Sequence, residues 1–157
     1  MARPRLVPPI HVLLAVALFT LAPRGLAAQR CDTDNEYMEL VRQQAVAAGD
    51  SFADAGYRVA DMICGSLNEG GEGWFDTRMA VGHRIAFVAV CDQDCSDIDL
   101  SLYAGDLLIA EDVLQDDVPV IEIGPAVEGT DFRLKVSMYQ CSTEPCYFGI
   151  AMFSDGG

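Results

Sequence analysis

The densest run of chemistry-bearing side chains is Cys91-Asp92-Gln93-Asp94-Cys95-Ser96-Asp97-Ile98-Asp99, which holds four carboxylates within eight residues. A Cys91–Cys95 bridge would cinch this run into a loop. Calcium takes about six to eight oxygen ligands from carboxylates, carbonyls and water, and one acidic loop often supplies most of them. Crowded carboxylates repel one another, and a divalent cation relieves that repulsion. Asp92, Asp94, Asp97 and Asp99 are therefore the candidate calcium ligands, and calcium is the one candidate cofactor. The competing reading is structural. The spacing lacks the glycine and glutamate of the EF-hand loop, and aspartates at loop ends also cap turns by bonding nearby backbone amides.

No catalytic constellation stands out elsewhere. Beyond the N-terminal apolar stretch His83 is the one histidine, which excludes a two-histidine zinc site, and neither HExxH nor GxSxG occurs. Gly65-Ser66 lacks the flanks of a nucleophile elbow, and Gly70, Gly71 and Gly73 precede a strand-like run, not a helix opening on Lys-Ser or Lys-Thr. With 24 acidic residues, some pair always sits at a glycosidase-like distance, so paired acids carry little information. Trp74, Phe75 and Tyr103 are candidates for a sugar-stacking platform, but the core reading is favoured for them, because buried aromatics dominate core energetics.

The elements that must position these residues divide into an export segment, a helical lead-in and a β-rich remainder. Arg3 and Arg5, the apolar run Val12 to Ala22 and the small residues Gly25-Leu26-Ala27-Ala28 form a signal peptide, residues 1–28, with cleavage near Ala28. The apolar run is too short to span a bilayer, which takes about 20 residues, and no later segment comes close. Gln29 and Arg30 separate Ala28 from Cys31, which argues against an acylated cysteine. The expected location is periplasmic or secreted. Removing Arg3, Arg5 and Arg24 from ten basic residues leaves seven against 24 acidic ones, a formal net charge near −17, and Lys135 is the only lysine. Such a surface repels phosphate backbones and anionic lipid heads, so neither a nucleic-acid nor a membrane-surface partner is expected, and the short apolar run gives no membrane span.

Cys31, Cys64, Cys91, Cys95, Cys141 and Cys146 make an even set bound for an oxidising compartment. Their local gaps do not match the two-residue spacing usual in structural zinc sites. Fifteen pairings are formally possible; the first expectation is Cys91–Cys95 and Cys141–Cys146 as local bridges, with Cys31–Cys64 by elimination.

Residues 29–62 read as a helical N-terminal extension. Its helix spans residues 33–48, opened by a Thr33–Glu36 capping box, carrying Tyr37, Leu40, Val41, Gln44 and Ala48 on one face and stopping at Gly49. From Asp50 to Met62 the signal is mixed between a short helix and an extended lead-in. From about Ile63 the period becomes two. Strand-like runs at Phe75–Val81, Ile85–Val90, Ile98–Tyr103, Leu107–Ala110, Val120–Ile123, Phe132–Tyr139 and Phe148–Met152 are separated by turns at Asn68-Glu69-Gly70-Gly71, Ala104-Gly105-Asp106 and Glu128-Gly129-Thr130. Ile85–Val90 is apolar on both faces, as a strand covered on each side would be. The fold class is mainly β, an antiparallel jelly-roll-like sandwich of seven or eight strands over residues 63–157 with an N-terminal helical extension.

The run Gly65-Ser66-Leu67 through Gly82, then Ser96-Asp97-Ile98-Asp99-Leu100-Ser101-Leu102-Tyr103, then Phe132-Arg133-Leu134-Lys135-Val136, resembles the bacterial pre-peptidase C-terminal domain over about residues 63–153. The Asp97–Tyr103 segment carries most of that resemblance. It implies a jelly-roll-like sandwich on a secreted bacterial protein, a non-catalytic role in secretion or substrate binding, and, in some related domains, calcium near Asp97 and Asp99. The two close cysteine pairs are not a general feature of that family. No peptidase precedes the domain in this chain, so an accessory role would act on a separate protein or glycan partner outside the cytoplasm. The expectation is a monomeric, exported, non-catalytic β-sandwich binding or accessory module. The alternatives are a small secreted hydrolase using acidic residues and a structural cell-envelope protein.

Overall fold

The structure, a computed structural model, describes residue 31 and residues 35–79, 81–125 and 131–156. The export segment with its cleavage point, Thr33 and the Glu128-Gly129-Thr130 turn lie outside the described residues.

Helix α1 spans Glu36–Ala48, and its cap is Asn35, whose side-chain oxygen accepts the Tyr37 N–H at 2.9 Å. This corrects the expected start. Asn35 lies directly before the first helical residue, and asparagine is among the best residues for satisfying an orphan N–H there. Glu36 consequently opens the helix and does not close a capping box. Gly49 does not end α1 by a left-handed turn, for its φ is −79° and the short helix α2 (Asp50–Ala53) follows at once. Glycine is needed there for room: a Cβ would fall inside the Phe153 ring. The ambiguous segment resolves into both alternatives, α2 and then strand β1 (Arg58–Leu67), which starts before Ile63.

Seven further strands follow: β2 (Glu72–Arg78), β3 (Ile85–Cys91), β4 (Cys95–Ala104), β5 (Leu107–Asp112), β6 (Val120–Ile123), β7 (Asp131–Cys141) and β8 (Cys146–Ser154). They form two four-stranded antiparallel sheets, one in the order β1-β8-β3-β6 and the other β2-β7-β4-β5. β2 begins and ends earlier than the expected Phe75–Val81 run. Gly82 adopts φ +83° and Val81 is exposed, so the chain is already turning there.

Alternation decides what lies between the sheets. Ile98, Leu100 and Leu102 of β4 and Leu134, Val136 and Met138 of β7 face Phe87 of β3 and Phe148 and Ile150 of β8. A second apolar layer lies on the far side of the first sheet, where Val41 and Ala45 of α1 cover Ala86, Val88, Val90, Ala151 and Phe153. All seven residues of β3 are buried for that reason, with sandwich core on one face and helix on the other. The two-sided apolar run was thus correctly read as a doubly covered strand, and the cover is α1. Gly149 permits the close approach, because a Cβ there would meet the Val41 carbonyl oxygen at 2.8 Å.

Three disulfides join Cys31–Cys64, Cys91–Cys95 and Cys141–Cys146. Cys91 ends β3 in one sheet and Cys95 begins β4 in the other; Cys141 ends β7 and Cys146 begins β8. Both local bridges therefore cinch a crossing between sheets. They sit at the same end of the sandwich, since Cys95 and Cys141 are paired across β4 and β7. The Asp94 carbonyl ties the two crossings together by accepting both the Ser142 N–H at 2.7 Å and its hydroxyl at 2.9 Å. Cys31–Cys64 instead fastens the chain ahead of α1 to the edge strand β1. Three closed disulfides are what an oxidising, extracytoplasmic compartment sustains.

Candidate functional site

The bulged start of β4 separates the four aspartates into two environments. Asp92 and Asp94 lie in the Cys91–Cys95 turn, beside Tyr37 and Leu40 of α1. Asp97 and Asp99 lie on the outer face of the β2-β7-β4-β5 sheet, in a cleft with Val113, Gln115 and Tyr139. Among the described residues no group of three or more His, Cys, Asp or Glu side chains converges as a metal site would require. The four aspartates considered as calcium ligands thus stand in two places, Asp92 with Asp94 and Asp97 with Asp99. The reason is geometric: consecutive residues of a strand face opposite ways, while the turn before it aims its side chains elsewhere.

Asp92 shows what the turn uses it for. It is 5% exposed, its backbone N–H donates to the Tyr147 carbonyl at 3.0 Å, and its Oδ2 accepts the Tyr147 N–H at 3.0 Å. It therefore continues the β3–β8 ladder into the turn. Burial pushes its carboxyl above the ordinary range, against the bond from Tyr147, and its Oδ1 has no hydrogen-bond partner among the described residues.

The residues best placed to meet another molecule stand on the outer face of the β2-β7-β4-β5 sheet, opposite the core. Cross-strand register makes its rows. Glu72, Ser137 and Asp99 lie side by side; Trp74, Lys135, Ser101 and Glu111 form the next row, and Asp76, Arg133 and Tyr103 the one after. Trp74 is 44% exposed and its ring centroid is 5.2 Å from that of Tyr103. The Arg133 guanidinium lies 5.1 Å from the Trp74 ring centroid and the Lys135 ammonium 5.8 Å, within cation–π range. Arg133 is itself held by the Gly105 carbonyl at 3.0 Å, and Lys135 pairs with Glu72. Two cations thus lie over the Trp74 ring, which stays partly exposed. Phe75, next to Trp74, points the other way and packs on Phe148 in the core. The core reading holds for Phe75 and fails for Trp74, because neighbours on a strand cannot share a face.

A cleft of about 250 Å³ opens beside this pair, lined in part by Glu72, Asp99, Glu111, Lys135 and Tyr139. Asp99 is raised by burial first and then by the negative charges of Asp97, Asp112 and Glu111, with Lys135 opposing. The Lys135 ammonium is held above its ordinary value chiefly by its bond to Glu72. The face therefore offers exposed aromatic area, two fixed cations and several acceptors. The sequence reading passed over Arg133 and Lys135 as site residues. Their alternation with Phe132 and Leu134 placed them outside the core, but only the β2–β7 register puts them against Trp74.

His83 lies apart, two residues ahead of β3, with Nδ1 3.5 Å from Oδ1 of Asp155. Arg84 binds the same carboxylate at 2.8 Å. Ser154 is close in sequence, but its hydroxyl donates to the Gly156 carbonyl. Among the described residues no helix is long and apolar enough to cross a membrane.

No family model matches the sequence, and no curated protein matches it. Among solved structures, the chain is similar to the pre-peptidase C-terminal domain of a collagenase from Bacillus anthracis, with TM-score 0.44 and 13% identity over 60% of this chain and 89% of that one. It is also similar to the secreted serine protease VesC from Vibrio cholerae, with TM-score 0.34 and 12% identity over 66% of this chain and 25% of the protease. The chain spans a quarter of that protease's length.

Proposed function

We propose that this chain is an exported, non-catalytic accessory module that binds a protein partner outside the cytoplasm through the outer face of its β2-β7-β4-β5 sheet. The observation that carries the proposal is the Trp74–Tyr103 pair, with Trp74 44% exposed on the outer face of the sheet and Arg133 and Lys135 against its ring. Protein interfaces concentrate their binding energy in tryptophan, tyrosine and arginine, most of all where these are held rigid before binding. A chain that only needed to fold would gain more by burying its single tryptophan. The export segment and three disulfides support an extracytoplasmic setting. Calcium plays no part in this reading, since the aspartates considered for it are divided between two places.

The test is a comparison of the mature protein with the Trp74→Ala, Tyr103→Ala double variant as immobilised baits. A protein retained from envelope and culture-supernatant fractions by the first and lost by the second is the expected result. Retention by both baits alike, retention of glycan alone, or turnover in a screen of peptide and glycan substrates would overturn it.

A further inference from the structure

The β5 edge and the connection that follows it carry apolar side chains that the fold leaves in solvent. Seven of the twelve exposed large apolar side chains among the described residues fall between residues 107 and 120. Leu107, Leu108 and Ile109 on β5 are 66%, 41% and 43% exposed, and Val113 and Leu114 just beyond are 54% and 67% exposed. None of the six β5 residues is buried. Among the described residues the strand pairs only with β4, and a register shift between Leu102 and Tyr103 leaves Ile109 as an extra residue on β5. Natural edge strands are usually protected by lysine or proline; β5 has the bulge and neither residue.

These side chains are held out by ordered backbone. Asp112 accepts from the Leu114 N–H at 3.3 Å through one oxygen and from the Val120 N–H at 2.8 Å through the other, and Asp116 accepts from the Val118 N–H at 3.0 Å. Acidic turns thus fix the connection that presents Val113 and Leu114. The charge along the strip is mostly negative: Asp106, Glu111, Asp112, Asp116, Asp117 and Glu122 belong to it, and its nearby cations are Arg133, paired with Asp106, and Lys135, in one row with Glu111. A second copy would bring the same acids against these, in a chain of formal net charge −14. Contiguous apolar surface with a charged rim marks an interface, and complementary charge selects the partner.

We infer that this strip, which adjoins the Trp74 face at Val113, is a docking surface for a basic amphipathic segment of another protein, one whose apolar side chains are flanked by lysine or arginine. Apolar contact would supply the affinity, and the acidic rim would select the partner and speed its approach.

The test uses the full mature chain and two synthetic peptides of equal length, one alternating leucine with lysine and the other leucine with glutamate. Titration calorimetry and amide chemical-shift mapping read affinity and place. The lysine peptide should bind, with shifts confined to residues 106–122, and the glutamate peptide should not. Leu107→Ser with Leu114→Ser changes only exposed side chains and should weaken binding by about tenfold, a loss matching two apolar contacts. Equal binding by this variant would show attraction to net charge alone and overturn the proposal. So would shifts centred elsewhere, or sedimentation showing a dimer that the variant abolishes, which would make a second copy the occupant.

Discussion

Replacing Cys31 and Cys64 together with alanine removes the bridge that fastens the chain ahead of α1 to the edge strand β1. The two cysteines are 33 residues apart, whereas the local pairs are separated by four and five. In the chain-entropy account a disulfide acts by restricting the unfolded ensemble. A loop of that length is then worth about 4 kcal/mol, against about 2 kcal/mol for each local loop. Cys64 is almost wholly buried beneath α1, so alanine keeps its surroundings apolar and adds little further cost. The assay is guanidinium unfolding of three double variants, one per bridge, followed by far-ultraviolet circular dichroism and by the fluorescence of Trp74, the only tryptophan. The Cys31/Cys64 variant should lose about 2 kcal/mol more than either local variant and melt about 15 °C below the parent, at about 4 °C per kcal/mol for a domain of this size. Hydrogen exchange should rise first in α1. Equal losses from all three, or a larger loss from a local pair, would refute the reasoning and show that the bridges act by holding the inter-sheet crossings in the folded state.

The approach of α1 to the sheet gives a second expectation: Gly149→Ala places a methyl group against the Val41 backbone and should destabilise the chain by about 1–3 kcal/mol, as overpacking does, measured by the same unfolding curves. A third concerns pH. Asp92 and Asp99 are raised above the ordinary carboxylate value of 3.8, so the folded state gains relative to the unfolded as pH falls from neutral toward their folded values. Glu39, held at about 2 by Arg42, and Asp155, held low by Arg84, contribute stability that is lost as pH falls below the usual carboxylate range. The melting temperature should therefore peak in mildly acidic buffer, above about pH 4, and the Asp92→Asn, Asp99→Asn variant should flatten the rise. A steady fall from pH 7.5 to pH 5 would contradict it. Fourth, calcium and magnesium at equal ionic strength should shift the melting temperature equally, by screening negative charge; a calcium-specific rise would reveal a site.

The sandwich was legible in the chain because its core strands alternate strictly, and one side chain in two must be apolar wherever a sheet has one dry face. Phe132, Leu134, Val136 and Met138 show this, and Ile85–Val90 announced a second cover by having no polar face at all. The helix was legible for the same reason, although its start was misplaced, since Thr33 and Asn35 are both competent caps. What alternation cannot convey is who stands beside whom across strands. That Trp74 meets Arg133, Lys135 and Tyr103 follows from the β2–β7–β4 register, set by contacts between segments dozens of residues apart. The same limit applies to the aspartates. Nearness along the chain from Asp92 to Asp99 suggested one ion-binding loop. A turn, a bulge and a strand with alternating faces place two of them beside α1, where Asp92 bonds the backbone, and two on the far side of the sandwich. Composition and period determine which residues are dry, and only the packed sheets decide which wet ones meet.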